Sequence, residues 1–83
     1  MITPAQLRAA RALLGISQLE LAAMAEVGSS TVKRIEASPT GIRGTALSLV
    51  KLQRALEAAG AMFLYEDDKA GVGVRLRSSS ASG

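Results

Sequence analysis

A mostly helical fold, four helices followed by a C-terminal β-hairpin, is what this sequence predicts, and three observations carry the prediction. Its 83 residues have room for one small core and four or five short elements. Helix caps and turn residues divide the first sixty positions into four segments, and after Gly60 the apolar spacing changes from helical to every second residue. The composition agrees. Apolar residues make up 48 % of the chain, but Ala dominates them and Phe63 and Tyr65 are the only aromatics, so the core must come from Leu, Ile, Val and Met on closely packed helices.

The first helix is announced by Thr3, Pro4 and Gln6: a Thr N-cap, a Pro at the first helical position and a Gln three residues after the cap satisfy or remove orphan N–H groups. Leu7, Ala10 and Leu14 share one face, Arg8 and Arg11 project from its flank, and Gly15 closes the helix. Ser17 with Glu20 forms a second capping box and opens a helix of barely two turns, ending at Met24 or Ala25. After Glu26, Val27 and Gly28, a third helix spans 29–37 with Val32 and Ile35 as its apolar edge. Turn chemistry at Ser38, Pro39, Thr40 and Gly41 ends it, and the loop runs to Gly44. Thr45 can cap the fourth helix, whose stripe is Leu49, Leu52 and Leu56, and Gly60 stops it. Val72, Val74 and Leu76 then alternate with Gly73, Arg75 and Arg77 as a strand. Its partner is expected over 61–66, across a turn at 67–71. Residues 78–83 are small and polar and are expected to be disordered. The expected organisation is therefore a helical domain over 1–60, a hairpin over 61–77 that serves dimerisation, and a tail over 78–83.

Composition removes whole classes of function. Without Cys there are no disulfides, thiolate metal sites or cysteine nucleophiles, and without His the commonest general base and metal ligand are missing. Neither catalysis, a metal site nor a cofactor is expected. The formal charge of +3 is mildly basic, below what a sequence-tolerant architectural DNA binder would carry. No apolar run reaches the ~18 to 20 residues of a membrane helix, and the N-terminus lacks the layout of a secretory signal, so a cytoplasmic, nucleoid-associated protein is expected, with no membrane partner. Glu66, Asp67 and Asp68 read as a solvated turn, since adjacent acids point in different directions and nothing completes a metal site. Gly71-Val72-Gly73 is not a phosphate loop, because no helix follows it to present N–H groups.

The second and third helices meet the steric demands of a helix-turn-helix over residues 18–35. Ala22 sits where the helices approach most closely, and Leu21, Ala25, Val27, Val32 and Ile35 provide the small core that fixes their crossing. The string ISQLELAAMAEVGSSTVKRIEAS resembles the Xre family of helix-turn-helix regulators, which includes the phage Cro and repressor proteins. Within it, Ser-Gln opens helix two and Thr-Val-Lys-Arg-Ile-Glu ends the recognition helix. The likeness extends over about residues 7–56.

The resemblance implies double-stranded DNA as partner, with the third helix in the major groove and Ser29, Ser30 and Arg34 at base edges. Arg34 is the sharpest candidate, because a guanidinium can donate two hydrogen bonds to guanine O6 and N7. Lys33 can reach a base or a phosphate. Gln18 at the start of helix two, Arg43 in the loop after helix three, and Arg8 are the implied phosphate ligands. Arg11 and Glu36 correspond to a structural ion pair. The chain departs from the family pattern at Glu26, where Gly is common in the turn; at Gly28, where a Ser or Thr cap is expected; at Leu19, usually polar; and in having a hairpin where a fifth helix is common.

The hairpin raises the question of assembly. A lone two-stranded hairpin is marginal in water, and Met62, Phe63, Leu64 and Tyr65 put apolar groups on both faces of the first strand. One face can cover helix four; the other predicts a homodimer, with Val74 and Leu76 of the second strand joining the interface, the alternative being a monomer whose hairpin folds fully onto its own helices. Two recognition helices would then read an inverted repeat with half-sites roughly 34 Å apart. The expected function is that of a sequence-specific transcriptional regulator. Two alternatives use the same scaffold: an antitoxin-type DNA-binding protein whose hairpin binds a partner protein, and a protein-interaction module without DNA binding.

Overall fold

The computed structural model describes residues 1–38 and 46–78. In chain order they form α1 (Pro4–Leu14), α2 (Gln18–Ala25), α3 (Ser29–Ala37), α4 (Ala46–Ala58), β1 (Ala61–Leu64) and β2 (Gly73–Leu76). The protein is thus mostly helical with a C-terminal antiparallel hairpin. The expected Thr45 cap, the loop up to Gly44, Arg43 and the tail beyond Ser78 lie outside the described residues.

Local chemistry sets the helix ends. At α1 the Gln6 N–H donates to Thr3 Oγ1 at 3.1 Å while the Thr3 N–H donates to Gln6 Oε1 at 2.9 Å, a reciprocal capping box. Ser17 and Glu20 repeat it at α2, at 3.0 and 2.8 Å. Both helices also end alike. Gly15 (φ 71°) follows α1 in the left-handed region, and the Ile16 N–H reaches back to the Arg11 carbonyl at 3.1 Å. After α2 the same turn is made by Glu26 at φ 59°, with Val27 N–H on the Ala22 carbonyl at 3.0 Å.

Glu26 is the one described non-glycine residue at positive φ, and its side chain makes no hydrogen bond or ion pair among the described residues. A left-handed L-residue costs about 1 to 2 kcal/mol, while glycine costs up to about 1 kcal/mol of extra chain entropy. Glu26→Gly should therefore raise stability by about 0.5 to 1 kcal/mol. A shift of the urea midpoint at unchanged slope is the measurement, and a midpoint that falls contradicts the strain argument.

The core lies where the four helices meet. Leu7, Leu21, Val32, Ile35, Leu49, Leu52 and Leu56 are fully buried, with Ile2, Ala10, Ala22, Ala25 and Ala61 around them. Burying each large side chain contributes about 1.5 to 3 kcal/mol. Gly60, at φ 118°, turns the chain out of α4 into β1. β1 then lies along α4 and β2 along α1, in the register Ala61↔Leu76, Met62↔Arg75, Phe63↔Val74 and Leu64↔Gly73. Phe63 and Val74 pack against the helical core, whereas Leu64, Tyr65 and Leu76 remain exposed and Met62 is half-buried. The connecting loop is shaped by Asp67, whose Oδ1 accepts the N–H groups of Lys69 and Ala70 at 2.8 and 2.9 Å; these bonds hold its carboxyl below the usual range.

Gln6 does more than cap α1. Its amide nitrogen donates to the carbonyls of Leu64 and Gly73, each at 2.8 Å, fastening both strands to the start of α1. The residue is buried with its amide oxygen and nitrogen both bonded. Glu is equally good in the capping box, so Gln6→Glu keeps the cap and changes only the hairpin contact, setting a carboxylate oxygen against two carbonyls. The expected cost is about 2 kcal/mol at neutral pH, read by urea unfolding. A loss no larger than a few tenths would show that the clasp contributes nothing.

Candidate nucleic-acid interface

α2 and α3 form a helix-turn-helix whose second helix is sharply two-sided. Val32, Ile35 and Glu36 face the protein, while Ser30, Lys33, Arg34 and Ala37 face solvent and Ser29 and Thr31 lie half-buried between them. The spacing follows from 3.6 residues per turn: positions 30, 33, 34 and 37 fall on one side. Lys33, Arg34, Ser29 and Ser30 make no side-chain hydrogen bond or ion pair among the described residues, so two cations and the Ser30 hydroxyl lie on one solvent-facing side of α3, with Ser29 at its margin. Ala37 shares this face and was not singled out from sequence, although its spacing from Lys33 and Arg34 is the signal that finds it.

Gly28 supplies no side-chain cap to α3; its carbonyl takes the Thr31 and Val32 N–H groups at 3.1 and 3.3 Å. The positive end of the helix dipole therefore meets solvent beside Ser29 and Ser30 and is suited to a negative group.

Glu36 holds this helix in place. It is 4 % exposed, and its carboxylate receives Arg11 Nε and Nη2 at 2.8 Å each and Gln18 Nε2 at 3.0 Å. Arg11 Nη1 also donates to the Ile16 carbonyl at 3.1 Å, and Arg8 Nη1 donates to the Glu36 backbone carbonyl. The carboxylate thus joins α1 and the start of α2 to the last turn of α3, and Arg11 extends the network to the turn after α1. Burial alone would push the Glu36 carboxyl up, but the hydrogen bonds from Arg11 and Gln18, with the charges of Arg11 and Arg8, hold it below the usual carboxylate range. The same bond to Glu36 raises the Arg11 guanidinium despite partial desolvation.

Two residues expected at phosphates are therefore also internal struts. Gln18 gives its amide nitrogen to Glu36 and is half-buried, and Arg8 is exposed while spending one N–H on the end of α3. Leu19 is 69 % exposed on α2. Arg43 lies outside the described residues, and the hairpin residues expected at a dimer interface divide between core-facing Phe63 and Val74 and the more exposed Met62, Leu64, Tyr65 and Leu76.

A cross-braced pair of short helices that presents a basic face without partners among the described residues has the form of a helix-turn-helix. A family model for the helix-turn-helix, of the Cro-type, Xre-like kind, matches residues 7–58, more than half the chain. The protein belongs to that helix-turn-helix family, whose members are DNA-binding regulatory domains. No curated protein matches the chain. Among the described residues, no helix is long and apolar enough to cross a membrane.

Proposed function

We propose that this protein is a sequence-specific transcriptional regulator that binds an inverted repeat in DNA as a homodimer. α3 enters the major groove, where Arg34 donates two bonds to a guanine, Ser29 and Ser30 meet neighbouring base edges, and Lys33 takes a base or a phosphate. Gln18, Arg43 and Arg8 hold the phosphates on either side, with the free N–H groups at the start of α2 contributing to the same contact. The observation that carries this reading is the outward face of α3: Lys33 and Arg34 are exposed and have no partner among the described residues, on a helix whose opposite face is locked by Glu36. A preset helix loses little freedom on docking, which favours specific over loose binding. Exposed apolar groups at Leu64, Tyr65 and Leu76 support assembly through the hairpin.

The test is selection of genomic DNA fragments by the purified protein at near-physiological salt, followed by sequencing of those retained. A short inverted repeat is the expected result. Recovery of no shared motif would overturn the specific-regulator reading and favour a partner-dependent antitoxin, an architectural role or an interaction module. Binding should also weaken steeply with added salt, because every neutralised phosphate releases counterions.

A further inference from the structure

The outer edge of β2 carries an inference that deepens the dimer reading above and rests on it. The Arg77 N–H donates to the Gly60 carbonyl at 2.8 Å, one step before the ladder begins. Hydrogen-bonded and non-bonded pairs alternate in an antiparallel ladder, so Met62↔Arg75 and Leu64↔Gly73 exchange the strand-to-strand bonds. The N–H and C=O groups of Val74 and Leu76, and of Val72 in the same phase, consequently point away from β1. Among the described residues no hydrogen bond meets them there. β1 lies along α4, with Ala61 buried and the Tyr65 hydroxyl accepting from Gln53 Nε2 at 3.1 Å, and β2 lies along α1.

The run Gly71-Val72-Gly73-Val74-Arg75-Leu76-Arg77 is complementary to itself when reversed about Val74. Val72 then faces Leu76, Gly73 faces Arg75 and Gly71 faces Arg77, so every arginine meets a residue without a side chain and every apolar residue meets another. Other registers fail. A two-fold axis at Arg75 sets guanidinium against guanidinium, which is destabilising, and one at Gly73 sets Arg77 against Lys69. An axis between two residues would match positions whose polar groups point outward with positions whose groups point inward.

We infer that β2 pairs antiparallel with β2 of a second copy about a two-fold axis at Val74, forming a four-stranded sheet across the dimer. The pairing satisfies the open edge and joins Val72, Val74 and Leu76 of both copies into one apolar row, covering side chains now 44 % exposed at Val72 and 40 % exposed at Leu76. Arg75 and Arg77 select the register, since any shift brings like charges together or removes the apolar matches.

The chain has no cysteine, so disulfide trapping is clean. Residue 73 would oppose residue 75 of the other copy in a non-bonded pair with Cα atoms about 4.5 Å apart, inside the range a disulfide spans. Identical positions near the axis would be roughly 8 Å apart, outside it. A Cβ at Gly73 meets only Leu64 Cδ1 and Cβ, at 3.7 and 4.0 Å, so Gly73→Cys fits. A mixture of Gly73→Cys and Arg75→Cys proteins should give a covalent dimer of one with the other on mild oxidation, and each variant alone should give little. Sedimentation of the unmodified protein runs beside it. A dimer by sedimentation with no cross-link in the mixture overturns β2 pairing and leaves dimerisation standing; a monomer at high micromolar concentration overturns both. Amide exchange in the unmodified protein gives a second readout without any variant. The Val72, Val74 and Leu76 amides should slow at least about tenfold as the dimer forms while Phe63 is unchanged, and exchange at these three amides that does not respond to concentration overturns the proposal.

Discussion

Replacing Arg11 by Met should lower folding stability by about 3 kcal/mol, a large share of what a domain of this size possesses. Met fills similar volume but leaves Glu36, 4 % exposed, with Gln18 as its only side-chain donor among the described residues. Removing one member of a buried pair strands the other charge, and the low end of the usual 3 to 5 kcal/mol range applies because the Arg11 side chain is 21 % exposed and water can enter from its side. Arg11→Met with Glu36→Leu should recover much of the loss, because two apolar groups need no solvation.

The pH dependence distinguishes the two proteins. In the wild type the folded pKa of Glu36 lies below its unfolded value. Its contribution is fully present above the ordinary carboxylate value of about 4.3 and is lost as pH falls through the folded value. In Arg11→Met, burial acts with little opposition and should raise the folded pKa above the unfolded one. Over the range between those two values the variant should then gain stability as pH falls, the reverse of the wild-type contribution. Urea midpoints from pH 3 to 7 measure both curves. If Arg11→Met loses less than about 1 kcal/mol and keeps the wild-type slope, Glu36 is solvated and the network does not brace α3.

Arg34→Ala should weaken binding to the preferred DNA site by about 1 to 3 kcal/mol, or 5- to 150-fold, and relax the preference at one base position. Stability should change by less than about 0.5 kcal/mol, since Arg34 is exposed and makes no intramolecular bond among the described residues. Arg43→Ala is the contrasting variant. It should weaken all sequences alike and lower the salt slope by about one. Equal loss on every sequence for Arg34→Ala would remove its base-reading role and make it a phosphate ligand. Arg11→Met should also reduce specific binding even under conditions where the variant is folded, because α3 loses the carboxylate that sets its angle against α1 and α2.

The helix ends were legible because their causes are local. Thr3 with Gln6 and Ser17 with Glu20 are partners three residues apart, and Gly15 follows directly from the turn it makes, so α1, α2 and α3 begin and end within a residue of the expected positions. Glu26 stands where the family pattern has Gly in the turn, and its φ of 59° is the left-handed conformation that favours Gly. The strands came out shorter, 61–64 where 61–66 was expected and 73–76 where 72–77 was expected. The Asp67 carboxylate draws the intervening backbone into a turn of its own.

Of the candidate interface, the choice of α3 and its basic side chains was readable from spacing and family likeness. Of its bracing, the Arg11–Glu36 pair was readable from the family likeness and the remaining contacts were not. Gln6 meets partners 58 and 67 residues away, Arg8 reaches a backbone carbonyl 28 residues on, and Gln18 turns its amide toward Glu36. No local pattern encodes such contacts, because the partners are fixed by how the helices cross and by which side of the hairpin meets them. Which of Phe63 and Leu64 faces inward was equally open, for both are apolar and alternate along one strand. Hydrogen bonds within a turn, and the apolar period along each segment, were sufficient to specify the elements and their order. Packing alone settled the long-range partners of Gln6, Arg8 and Gln18 and the orientation of the hairpin, because burial selects which polar groups must find each other and which apolar face is withdrawn from water.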